Sequence, residues 1–251
     1  MNTTSGIGDA TGATRNSEVK LILAEALIAG ERGASAADRL CHVCLSLLGV
    51  DAAAISLIDE GVSRGTFGAS DEDARVLDEL QFTCGEGPCL EAAHTMTSIF
   101  VPDLQSKDEP RWPAFKDAAE RADIRAVFAI PIRVGKVGIG ALDLFRRVPG
   151  PLSTIQMADS IIVADAAAQV LLDVTDRDAT GQNRAEPLEQ WDQLVDLARI
   201  DVYQATGMVM AQLDVSPAEA LIRLRAYAFA NEQTANDIAQ LIISRQLRLE
   251  P

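Results

Sequence analysis

Between residues 200 and 247 the chain reads as three short helical patterns in immediate succession, joined only by Asp214-Val215-Ser216-Pro217 and Asn231-Glu232-Gln233. No other feature restricts the fold so tightly. Connections this short force consecutive helices to turn back on one another, so the segment must close as a compact three-helix bundle. Small residues and methionine stud the first pattern, and arginines flank the second. On a helical wheel Ala220, Leu224, Tyr227 and Ala228 make the buried face of the second helix, with Arg223 and Arg225 flanking it.

Residue identities narrow the bundle further. Ile200 and Asp201 are followed by Gln204-Ala205-Thr206-Gly207-Met208-Val209-Met210, then Ser216, Glu219-Ala220, Leu224-Arg225, Asn231 and Asp237-Ile238-Ala239. In this order they resemble the ANTAR family of RNA-binding antitermination domains. The resemblance implies stem-loop RNA of nascent transcripts as partner, and Arg199, Gln204, Gly207, Arg223, Arg225, Tyr227 and Asn231 as the residues that contact it. Gly207 would admit a close backbone, and Tyr227 would either stack on an unpaired base or belong to the core. The lysine that the family often carries before the glycine is Thr206 here, which removes one phosphate contact.

Charge limits how such a contact can work. The chain has 22 Lys and Arg against 37 Asp and Glu, a formal net charge of −15. Generic nucleic-acid affinity rests on cations that displace counterions from phosphates. From residue 187 onward only Arg199, Arg223, Arg225, Arg245 and Arg248 are basic, against nine acids. A broad basic face is excluded, so recognition must be local and dependent on RNA shape.

The 251 residues, 48% hydrophobic, suffice for two ordinary domains with real cores. Residues 1–17, rich in Thr, Ser and Gly, read as a disordered leader without the basic patch and apolar core of a signal peptide. No apolar run reaches the roughly 18 to 20 residues of a membrane span. The expectation is a cytoplasmic protein with no membrane contact and its four cysteines reduced.

Residues 18–174 alternate between helical and strand patterns. Helical stretches begin at Glu18 and at Ser35, which is placed as a cap; strands at 52–58 and 62–67 flank Asp59-Glu60-Gly61. A charged helix at 71–80 leads into Phe82-Thr83-Cys84-Gly85-Glu86-Gly87-Pro88-Cys89. A short strand at 98–101 and a helix at 112–121 follow. A hairpin of 125–134 and 136–146 turns at Gly135, and a long apolar helix capped by Ser153 closes the region. The order predicts an α+β fold, an antiparallel sheet with helices on one face. The segments at 85–92 (GEGPCLEA) and 129–145 (AIPIRVGKVGIGALDLF) resemble the GAF family of sensor domains, of the kind that precedes ANTAR domains in actinobacteria. That resemblance implies a small-molecule pocket between the sheet and its covering loops. Phe82, Cys84, Glu86, Cys89, Phe100, Trp112 and Phe128 are its expected lining, although each apolar one is better suited to the core. The ligand is not specified, and the cyclic-nucleotide signature of some GAF domains is absent.

Residues 175–187 read as a polar linker to the C-terminal domain at 188–251. Leu188, Trp191, Val195, Ala198, Val202, Ala205 and Val209 then fall at alternating spacings of three and four. Such a stripe packs either within its own bundle or as a coiled-coil seam between two chains; a homodimer is the expectation.

Cys41-His42-Val43-Cys44 has metal or redox spacing, yet lies in an apolar helical pattern where thiols act as small hydrophobes. A four-thiolate site with Cys84 and Cys89 is not required by the spacing, and no metal is expected. Pro88 suits the first position of a helix, which would place Cys89 at the helix N-terminus and lower its pKa. A redox-sensing pair of Cys84 and Cys89 therefore has a mechanism, and the chain faintly resembles GAF-fold free-methionine sulfoxide reductases. Their additional pocket cysteine has no counterpart after residue 89. No P-loop or Rossmann fingerprint is present, and neither His42 nor His94 sits by a nucleophile in a recognisable context. The expected function is a signal-responsive, non-enzymatic antitermination regulator. The alternatives are a protein–protein regulatory module without RNA binding and a thiol-based sensor or reductase.

Overall fold

The computed structural model describes residues 7–28, 34–59, 62–175 and 199–250. Helices α1 (Ile7–Ile28) and α2 (Ala34–Leu48) precede a hairpin of β1 (Ala52–Asp59) and β2 (Val62–Ala69). Helices α3 (Glu72–Cys84) and α4 (Pro88–Thr95), strand β3 (Ile99–Val101) and helix α5 (Pro113–Arg121) follow. The hairpin of β4 (Ala126–Val134) and β5 (Val137–Arg146) and helix α6 (Thr154–Thr175) complete the first domain. The sheet order is β2-β1-β5-β4-β3, with every pair antiparallel. The α+β architecture is the expected one.

Helices cover both faces of this sheet, which corrects the expectation of one. On one side Ala53, Ile55, Leu57, Phe128, Ile130, Ile132, Leu142 and Leu144 meet α1, α2 and α6. On the other Ala52, Ala54, Val127 and Phe145 meet α3 and α5, while Ile58 and Ala141 meet Cys89 of α4. Successive side chains of a strand point to opposite faces, so a strand buried on both reads as an unbroken apolar run. The first seven residues of β4 are all buried. The short, polar sequences of α3 to α5 hide the second layer.

Other local expectations shift for identifiable reasons. The leader is helical from Ile7 onward, and Arg15 reaches the buried Asp159 of α6 at 2.8 Å. That ion pair ties residues expected to be disordered to the core, where Val19 and Leu23 are buried. Ser35 lies within α2 rather than capping it. Ser153 does cap α6, its Oγ accepting from Gln156 N at 3.2 Å. Helix α3 runs one turn past residue 80 and ends at Gly85 (φ 70°), whose N–H donates to the carbonyls of Gln81 and Phe82. A left-handed residue at that point is the usual stop for a helix. Among the described residues α6 alone is long and apolar enough to cross a membrane, yet Val163, Ala164, Ala167, Ala168, Val170 and Leu171 pack into the domain core.

The C-terminal bundle consists of α7 (Ile200–Leu213), α8 (Pro217–Ala230) and α9 (Ala235–Ile243). Ser216 caps α8, and Thr234 with Asp237 forms a reciprocal capping box on α9. Val202, Ala205, Val209, Ala220, Leu224, Ala228, Ile238, Ala239 and Ile242 make its core. Val202, Ala205 and Val209 are no more than 1% exposed within this single chain, so they are bundle core and not an intermolecular seam. Spacing of three and four reports an apolar stripe and not which chain covers it. Leu188, Trp191, Val195 and Ala198 lie outside the described residues, as does the linker beyond Thr175.

Candidate functional site

The bundle docks on the first domain through α3, whose Glu79, Phe82 and Thr83 recur at helical spacing on one face. Phe82, 1% exposed, belongs to the core of the bundle and lines no sensor pocket. The Arg199 guanidinium lies 3.6 Å from its ring centroid and that of Arg225 4.1 Å. Arg199 is itself 2% exposed; its Nη1 donates to Glu79 Oε2 at 2.5 Å and its Nη2 to Ser63 Oγ of β2 at 3.1 Å. Burial raises the Glu79 carboxyl pKa, and the charge of Arg199 opposes the shift. Burial and then the neighbouring charge of Arg199 push the Arg225 guanidinium down to about 10. Thr83 Oγ1 accepts from the Ala235 N–H at 2.9 Å. At the far edge Arg121 of α5 lies 5.5 Å over Phe229 and 3.8 Å from Glu232, beside a cleft of about 230 Å³ that Cys84 helps to line.

The seven residues expected at an RNA surface are therefore divided. Arg199 and Arg225 face the sensor domain. Asn231 Nδ2 donates to the Tyr227 carbonyl at 2.8 Å and closes α8, while Tyr227 packs half-buried against the bundle core. Gln204 and Gly207 are exposed on α7, and a Cβ on Gly207 would meet nothing within 4 Å. Arg223 pairs with Glu219 at 2.7 Å along the outer face of α8. Thr206 is 6% exposed and its hydroxyl donates to the Val202 carbonyl at 2.7 Å, so this position is packed against the bundle. Arg245 and Arg248, which the sequence reading did not select, are exposed beyond α9.

The expected pocket residues do not share a cavity either. Phe100 and Phe128 meet at 6.1 Å and pack with the α2–α6 layer, whereas Trp112 packs with the α3–α5 layer across the sheet. Glu86 caps α5: its Oε1 accepts from Ala114 N at 2.7 Å and Phe115 N at 3.2 Å. Cys89 alone joins a polar cluster, with Ser56 of β1, Asp78 and Gln81 of α3 and Asp143 of β5. Ser56, Asp78, Asp143 and Cys89 are at most 1% exposed. The Ser56 hydroxyl lies in short contact with Asp78 Oδ1, 3.2 Å from Asp143 Oδ2 and 3.5 Å from Cys89 Sγ. Thr66 donates to Asp78 Oδ2 at 2.5 Å. Two glycines shape the cluster: a Cβ at Gly140 would lie 2.3 Å from the Ser56 carbonyl, and one at Gly87 2.5 Å from Gln81 Oε1. Burial, and then the charge of Asp78, raises the Asp143 carboxyl to about 7.

Pro88 does start α4, as expected, and the Cys89 N–H donates to Gln81 Oε1 at 2.8 Å. The thiol behaves oppositely to the expectation. Burial first, then the charges of Asp143 and Asp78, hold it well above the ordinary range. Next to two carboxyls, the short helix does not prevail. Burial likewise pushes Cys84 and Cys44 up to about 12, and all four thiols are free. Cys41 and Cys44 are buried in α2 as structural thiols.

Comparison with known proteins agrees with the two-domain fold. A GAF domain family matches residues 34–171, and an ANTAR domain family matches residues 197–243. No curated protein matches the chain. Among solved structures, the GAF domain from a phosphoenolpyruvate-protein phosphotransferase of Coxiella burnetii is 17% identical (TM-score 0.54), covering 66% of this chain and 98% of its own. A domain of a sensor histidine kinase protein from Sinorhizobium meliloti is 18% identical (TM-score 0.46; 59% and 95% covered). A type II free methionine-R-sulfoxide reductase from Thermoplasma acidophilum is 16% identical (TM-score 0.39; 53% and 90% covered). At these identities the likeness concerns the fold alone. With both domains matched in this order, the chain belongs to the GAF family, in its GAF–ANTAR architecture.

Proposed function

We propose that the chain is a cytoplasmic transcription antitermination regulator whose ANTAR bundle binds stem-loop RNA and whose GAF domain controls that binding. The observation that carries this reading is the placement of Arg199 and Arg225. Two of the five cations of an acidic RNA-binding module are held on Phe82 of the sensor, where they are withheld from phosphate. A signal that shifts α3 frees them, and control is then a two-state equilibrium of docked and released bundles. Filter binding to a transcript-leader stem-loop tests it: Arg223→Ala with Arg225→Ala weakens binding by about tenfold or more, at roughly 1–3 kcal/mol per specific contact. Unchanged affinity removes the assigned surface.

A second reading, a protein–protein module without RNA binding, is favoured by the same burial and by nine acids against five arginines. It is supported if no transcript leader binds with salt-dependent affinity. No catalytic role is proposed, because thiols held protonated are poor nucleophiles. Turnover of free methionine sulfoxide that Cys89→Ser abolishes would establish the reductase reading instead. Homodimerisation now rests on the spacing of Leu188, Trp191, Val195 and Ala198, and native mass spectrometry tests it.

A further inference from the structure

We infer that Asp78, Asp143 and Cys89 form a binding site for one divalent transition-metal ion of the zinc class, inside the GAF domain. Their ligand atoms all lie within 4.8 Å of one another, and all three side chains are buried. Carboxylates are almost never fully buried unless paired, and among the described residues no ion pair engages either one. The hydrogen supply also falls short. Ser56 has one hydroxyl proton for Asp78 Oδ1 and Asp143 Oδ2, Thr66 serves Asp78 Oδ2, and the Cys89 thiol has one proton to share between Ser56 and Asp143. Asp143 Oδ1 is left without a partner.

Gln81 supplies an independent sign that something belongs there. Its Oε1 is anchored on the Cys89 N–H, its amide faces Asp143, and its Nε2, on a side chain 1% exposed, has no acceptor. A water on the metal would accept from it. The donor set decides the class of ion. One sulfur and two carboxylates suit zinc and its neighbours, whereas calcium and magnesium need more oxygen ligands than a closed site with a thiol provides. Ligand atoms around tetrahedral zinc lie roughly 3–4 Å apart, so small side-chain rotations bring these three into place. Binding deprotonates the Cys89 thiol and any carboxyl that carries a proton, and those protons pass to solvent as the ion enters.

The full chain, stripped with chelator, incubated with zinc and desalted, is expected to retain about one equivalent by elemental mass spectrometry. X-ray absorption at the zinc edge should show one sulfur with oxygen neighbours. With cobalt the parent chain should give a thiolate-to-metal charge-transfer band that Cys89→Ser removes and Cys44→Ser keeps, and Asp143→Asn should weaken binding about tenfold or more. Should either cluster variant fail to fold, the absorption spectrum of the parent chain decides. Retention of trace metal only, a shell of several sulfurs, a shell without sulfur, or a cobalt band lost in Cys44→Ser overturns the site.

Discussion

Phe82 shows how one residue can join two domains. Two guanidiniums share its ring, and one carboxylate, Glu79, neutralises one of them. Cation–π contact is worth roughly 0.5–2 kcal/mol per pair, while emptying a buried phenylalanine costs about 3–5 kcal/mol. Phe82→Leu should therefore lower stability in urea by less than half as much as Phe82→Ala. Equal losses would mean that the cation–π contacts, which both variants remove, outweigh the buried volume. Arg199→Ala leaves Glu79 buried without its partner and should cost about 3–5 kcal/mol; a loss under about 1 kcal/mol would mean that the pair is open to water. The thiols give a chemical test. With Cys84 and Cys44 pushed up to about 12, alkylation of the native chain by iodoacetamide at neutral pH should be far slower than in urea.

At the scale of elements, α3 is the most consequential helix, and it extends to Cys84 where its charged pattern stops at residue 80. Its start is legible, since Asp71 accepts from Ala74 N at 2.8 Å as an N-cap. Its last turn carries Phe82-Thr83-Cys84, which looks like the beginning of a glycine-rich loop because Gly85 and Gly87 follow at once. Only the left-handed Gly85 shows where the helix stops. Gly87 has φ 151° and sits against Gln81, so Gly87→Ala should be strained, displace Gln81 and lower the melting temperature. In the bundle, Thr234→Ala removes a capping box and should cost about 1 kcal/mol, measured by thermal unfolding.

Over the whole molecule, charge and docking act together. With a net charge of −15, the proposed RNA affinity would rest, in the docked state, on Arg223, Arg245 and Arg248. Each phosphate contact contributes about 0.7 to the salt slope on single strands. The docked chain should therefore show a log–log slope near −2, and Phe82→Ala, which frees Arg199 and Arg225, a slope near −3.5. Identical slopes would mean that the two arginines never reach phosphate.

The sequence by itself determined the parts whose physics is local. Helix periods, the cap at Ser153, the antiparallel hairpins and the motif order of a GAF and an ANTAR domain follow from neighbouring residues. Tertiary structure alone decided what lies opposite each side chain. Periodicity marks Val202, Ala205 and Val209 as apolar but does not say that α8 and α9 cover them. Arg225 looks like a phosphate contact until Phe82, more than a hundred positions away, is found beneath it. Ser56, Asp78, Cys89 and Asp143 are unremarkable singly, and only the strand pairing and α3 bring them together. Such contacts depend on chain closure over long separations, which no window of sequence records.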